Sequence, residues 1–178
     1  MNVYLIGYRG TGKTTIARLV AERLGAAAID ADEFLERRAK RSIREIFATD
    51  GEPTFRELEV QTVSELARLD RHVVSLGGGA VMRQENRDAI AAGKTVWLDA
   101  SPETLWARLQ ADPSTADRRP NLTAQGGIAE IREKMAERRN VYESCAQLRV
   151  DTERQRPAEA AATIVDWLAR EGLSWTSG

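Results

Sequence analysis

Short apolar runs rich in β-branched residues alternate along the chain with longer segments whose apolar positions recur every three or four residues. The first pattern is that of buried strands and the second that of helices with one buried stripe, which together argue for parallel strands joined by helices. Five strands are predicted: VYLI (3–6), AAAI (26–29), HVVSL (72–76), TVWLD (95–99) and LRVDT (148–152), with the first, third and fourth central. A helix over 13–24 buries Ile16, Leu19, Val20 and Leu24. Another, announced by Pro53, places Phe55, Leu58, Thr62, Leu66 and Leu69 at the same period. Two more run over 128–145 and 158–170, the latter after Pro157, and the tail from Glu171 to Gly178 reads as frayed. The stretch QADPSTADRRPNLTAQGG, 110–127, replaces periodicity with Pro, Ser, Asp and Gly, and reads as a long loop of the kind that serves as a lid.

Composition narrows the picture. The 178 residues suit one domain, and a net charge of −1 provides no field to gather nucleic acid or an anionic membrane. Cys145 and His72 are the only residues of their types, so no disulfide framework or Cys/His metal cluster forms within one chain, and a reducing cytoplasm is the expected home. The apolar run at Val3 to Ile6 is too short for a signal-peptide core or a membrane span. Trp97, Trp106, Trp167 and Trp175 fall mostly at helical or strand positions and read as packing residues.

Candidate chemistry begins at GYRGTGKT, from Gly7 to Thr14, which has the spacing of a phosphate-binding P-loop between a strand and a helix. Its glycines let backbone N–H groups converge on phosphate oxygens at the positive end of the helix. Gly10, Thr11, Gly12, Lys13, Thr14 and Thr15 are therefore expected to hold a nucleotide, with Lys13 reaching the outer phosphates and Thr14 able to ligate Mg²⁺. Carboxylates for the metal are sought at strand ends. Asp30 and Asp32 leave the second strand together, where ligands gather in parallel sheets. Asp99 heads toward SPETL and reads rather as the start of a helix cap. Gly77, Gly78 and Gly79 follow the third strand, so a backbone without side chains can approach a ligand at the same edge. Arg56 and Glu59 lie one turn apart and can meet.

GYRGTGKT, DADEFLE, GEPTFRELE, GGG, RRP and ERRNVYE, in this order and at these intervals, resemble the shikimate kinases along nearly the whole chain. The resemblance implies an α/β, three-layer P-loop NTPase fold with a five-stranded parallel sheet, a substrate-binding helical segment at about 31–60 and a lid at about 110–124. It implies ATP-dependent phosphorylation of the 3-hydroxyl of shikimate, with ATP and Mg²⁺ as cofactors. Asp30 then helps hold Mg²⁺, and Asp32 contacts the substrate hydroxyls and can accept the proton of the attacking one. Arg56, oriented by Glu59, and Arg138 bind the carboxylate; Gly78 and Gly79 offer backbone contacts. Arg119 closes with the lid over the transferring phosphoryl, and Arg108 and Pro157 flank adenine. Lys13, Asp32 and Arg119 are the expected catalytic residues.

Three departures from the family pattern stand out. RRPNL replaces the more usual RPLL, so Arg118 competes with Arg119 for the lid role, although surface solvation is the plainer reading of Arg118 and of Arg41. SLGGG replaces the commoner small-residue approach to the triplet, and Arg9 puts a long cation in a loop position that is often small or apolar. Rival readings are another small-molecule kinase, for gluconate or a nucleotide, and a catalytically silent nucleotide-binding module. The first needs a different acceptor site, and intact Lys13, Asp30, Asp32 and Arg138 argue against the second. The expected state is a monomer, because the helices need their apolar stripes for the sheet.

Overall fold

The computed structural model describes residues 1–111, 126–173 and 175. Strands β1 (Val3–Ile6), β2 (Ala27–Asp30), β3 (His72–Ser75), β4 (Lys94–Asp99) and β5 (Leu148–Asp151) form one parallel sheet in the order β2-β3-β1-β4-β5. The helices are α1 (Lys13–Leu24), α2 (Ala31–Ala39), α3 (Ile43–Ala67), α4 (Gln84–Ile90), α5 (Pro102–Ala111), α6 (Gly127–Cys145) and α7 (Pro157–Arg170). All five strands form within a residue or so of their predicted bounds, and the three expected to be central are central.

Alternation along β1 divides the core. Val3 and Leu5 face one layer, where Ile16 and Val20 of α1 and Ile164 and Leu168 of α7 cover the sheet. Tyr4 and Ile6 face the other, where Val63 and Leu66 of α3, Ile90 of α4 and Tyr142 of α6 pack with Trp97. The chain then leaves β1 through Gly7 at φ 139°, where a Cβ would lie 2.3 Å from the Leu98 carbonyl oxygen of β4. Only glycine fits this exit, and it delivers the P-loop between two central strands.

Helix α3 is two helices in sequence. Gly51, at φ 80° and ψ 173°, breaks it, and the part after Pro53 is the one periodicity predicts. Ser42 and Glu45 cap the first part reciprocally, and Leu35, Ile43, Ile46 and Phe55 form a small apolar cluster beside it. Two readings need correction. Leu69 lies past the helix end and is exposed rather than part of the buried stripe. Leu173 and Trp175, read as frayed, are buried against the α1–α7 layer, because the apolar faces of those helices extend beyond the last turn of α7. Most of the predicted lid, from 112 on, lies outside the described residues. No described helix is long and apolar enough to cross a membrane.

Asn2, only 2% exposed, ties three elements at the base of the sheet. Its Nδ2 donates to the Leu66 and Leu69 carbonyls at 3.1 and 2.9 Å, and its Oδ1 accepts from His72 N at 3.1 Å. Asn2→Ala takes the side-chain partner from the Leu69 carbonyl and the His72 amide, while the Leu66 carbonyl keeps a backbone donor in Leu69 N, and should destabilise the fold by about 2 kcal/mol, read as a lower urea midpoint at unchanged m.

Candidate active site

The P-loop ends where α1 begins, with Gly12 in the left-handed region at the helix N-cap. Lys13 Nζ lies across the loop and donates to the carbonyls of Gly7 at 2.9 Å and Tyr8 at 2.8 Å. The Thr14 hydroxyl donates to Asp30 Oδ2 at 2.6 Å. The other Asp30 oxygen caps α2, accepting from Asp32 N at 3.0 Å and Glu33 N at 3.3 Å. One carboxylate thus fixes the helix that carries Asp32 while its second oxygen stays beside the P-loop threonine. A cleft of about 620 Å³ is lined by Lys13, Thr14, Asp30, Asp32 and Gly78 among others. Hard oxygen donors next to a phosphate cradle suit a small divalent cation that keeps most of its ligands as water and phosphate. Among the described residues no cluster of three or more metal-ligating side chains offers an all-protein cage.

The opposite end of the site is cationic. Arg56 Nη1 donates to Glu59 Oε2 at 2.8 Å, and Nη2 to Glu52 Oε1 at 2.9 Å, so two carboxylates on α3 hold one guanidinium. That guanidinium lies against Gly79, where a Cβ would sit 2.8 Å from Nη1. Arg138, 7% exposed on α6, comes to 3.3 Å from where a Cβ of Gly78 would be, and its guanidinium packs 5.6 Å from the Tyr8 ring centroid. Tyr142, one turn on, donates to the Gly78 carbonyl at 2.5 Å. Two guanidinium groups therefore converge on consecutive glycines after β3. Arg56, Arg138 and Gly79 line a second cavity of about 300 Å³, with Lys134 also in its wall.

A P-loop with its threonine–aspartate partner, and two arginines meeting at a glycine turn, is the set that the sequence motifs anticipate. The family model for shikimate kinase matches residues 9–169. The chain belongs to the shikimate kinase family. A shikimate kinase of Rhodopirellula baltica is 43% identical over 165 residues, covering 92% of this chain and 88% of its own. That of Symbiobacterium thermophilum is 40% identical, covering 97% and 98%. Among solved structures, the shikimate kinase from Acinetobacter baumannii in complex with shikimate superposes with a TM-score of 0.89 at 30% identity, covering 97% and 95% of the two chains. The Bacteroides thetaiotaomicron shikimate kinase does so with a TM-score of 0.82 at 29% identity, covering 97% and 99%.

Other predicted positions of this shikimate kinase-family chain fall as follows. Arg108 lines the large cleft, and its guanidinium donates to Thr152 O at 2.6 Å and Gly10 O at 3.3 Å. Pro157 is exposed at the first turn of α7 and is not in the wall of that cleft. Arg118 and Arg119 lie outside the described residues. Asp99 starts no helix cap: Ser101 Oγ accepts from Thr104 N, while Arg149 of β5 clamps the Asp99 carboxylate at 3.0 and 2.5 Å.

Sequence reasoning missed Tyr8, Tyr142 and Glu130. Burial pushes the Tyr8 phenol above its usual range, the Arg9 charge opposing and the Glu130 carboxylate adding to the rise. Tyr142 sits in the ERRNVYE stretch, but only the fold reveals the Gly78 carbonyl as its acceptor. Tyr142→Phe orphans that carbonyl and should cost about 2 kcal/mol in thermal or urea unfolding.

Proposed function

We propose that this protein transfers the terminal phosphoryl group of ATP to the 3-hydroxyl of shikimate, giving 3-phosphoshikimate and ADP. The observation that carries the reading is the convergence of Arg56 and Arg138 on Gly78 and Gly79, at the edge of the sheet that also bears the P-loop. A planar guanidinium pairs with a carboxylate through two parallel hydrogen bonds, and two such groups fix both the position and the tilt of a small ring acid. Asp32 lines the large cleft and the two arginines the smaller cavity. An acceptor with a hydroxyl at one end and a carboxylate at the other therefore spans the glycine turn. A nucleoside monophosphate offers no such carboxylate.

The P-loop amides and Lys13 hold the outer phosphates, and Asp32 accepts the proton of the attacking hydroxyl or orients it for in-line attack. Thr14 and Asp30 have the hard-oxygen chemistry to hold Mg²⁺, which when bound spreads and neutralises charge on the phosphate oxygens. Arg108 contributes at the adenine end. In this reading the acceptor-binding segment is about 31–60 and the lid about 110–124, with Arg119 as the lid cation stabilising charge on the transferring group. The enzyme acts as a cytoplasmic monomer.

An ADP-release assay with Mg²⁺ and ATP, offering shikimate, quinate, gluconate or AMP, tests the reading. Turnover is expected with shikimate, and Arg56→Ala should lower kcat/KM for it by about 100-fold or more. Nucleotide hydrolysis indifferent to the acceptor would refute the assignment. Arg119→Ala should reduce single-turnover transfer by about 1,000-fold while nucleotide affinity stays near wild type. Unchanged transfer would remove Arg119 from the mechanism.

A further inference from the structure

A cation within a phosphate loop has an obvious use in touching phosphate, and Arg9 borders the large cleft, yet its guanidinium is already paired with a carboxylate. Its Nη2 donates to Glu130 Oε1 at 2.8 Å, and Glu130, in the first turn of α6, is fully buried. The carboxylate neutralises the charge that a phosphate contact would need. The pair joins the loop between β1 and α1 to α6, about two turns from Arg138 on the same helix. Arg9 and Arg138 also pack on one ring, their guanidinium carbons 5.8 and 5.6 Å from the Tyr8 centroid. Farther along, Tyr142 pins α6 to Gly78.

The cluster is poorly arranged for stability alone. Arg9 Nε and the Tyr8 hydroxyl are buried without a partner of good hydrogen-bond geometry among the described residues, the hydroxyl having only the neighbouring Arg9 guanidinium to turn to. Apolar replacement of a buried ion pair is often neutral or stabilising, whereas a pair fixes one register between the elements it joins. We propose that Arg9 and Glu130 are positioning residues that lock α6 against the phosphate loop, and so set Arg138 relative to the phosphoryl group being transferred. The inference rests on the shikimate reading. In the proposed function nucleotide is held by the loop amides from Gly10 on and by Lys13, not by Arg9, so loosening the lock should separate acceptor use from nucleotide binding.

The experiment compares wild type, Arg9→Met and the double variant Arg9→Met/Glu130→Met. The single variant takes the Arg9 guanidinium from the buried Glu130 carboxylate and lowers the melting temperature; the double variant removes the buried charge as well and melts above the single variant. In the double variant, kcat/KM for shikimate should nonetheless fall about 10-fold or more, because a misplaced binding group costs rate even at a short displacement. Affinity for ADP should stay at the wild-type value. A folded double variant with wild-type kcat/KM for shikimate would overturn the positioning role, and so would an equal loss of ADP affinity, which would assign the pair to the loop itself. A wild-type enzyme that phosphorylates no shikimate would overturn the reading beneath it, an outcome visible before any variant is assayed.

Discussion

Bringing two guanidinium groups out of water at one edge of the sheet is the constraint around which this structure is arranged. A desolvated cation needs carboxylate or aromatic partners, and for these two they come from outside the strands. Glu52 and Glu59 come from α3 for Arg56, and the Tyr8 ring comes from the P-loop for Arg138. The helices that carry the two arginines are themselves anchored by apolar packing: α3 through Val63 and Leu66, α6 through Tyr142 against Trp97. The cationic end is thus sustained by the same layer that closes the core.

Parallel strands make the convergence possible. Pairing of Leu5 with Ser75 brings the ends of β3 and β1 within a residue of each other, so that the P-loop and the glycine triplet emerge side by side. Glycine serves opposite ends at the two exits. At Gly7 the missing side chain lets one backbone pass another, and at Gly79 it admits the Arg56 side chain. A methyl group at the first would collide with a fixed carbonyl, and at the second it would displace a charge from its carboxylates.

The legible part of the molecule was local. Strand runs, the P-loop, the helix after Pro53 and the Arg56–Glu59 pair all follow from spacing, because backbone period and one-turn side-chain contacts are written in neighbouring residues. What escaped depends on partners remote in the chain. Asp99 suggests a cap because SPETL follows it, but its partner Arg149 belongs to β5, brought alongside by strand pairing. Asn2 binds groups near residue 70, and Glu130 looks like an ordinary surface acid of a charged helix until Arg9 is found beside it. Family resemblance narrows this gap for Arg138, whose place beside Gly78 no periodicity suggests.

The break at Gly51 separates more than two helical segments. The cluster of Leu35, Ile43, Ile46 and Phe55 is distinct from the two apolar layers that grip β1. Ala31 and Phe34 at the start of α2 still join the layer around Tyr4 and Ile6, but from Leu35 to the break the apolar contacts are those of this cluster, so that part has its own, smaller opening free energy. Amide protons of its helices then exchange with solvent through sub-global opening, while those of β1 wait for complete unfolding. The protein is therefore softest along the part of the large cleft's wall formed by Glu36, and stiffest beneath the loop between β1 and α1.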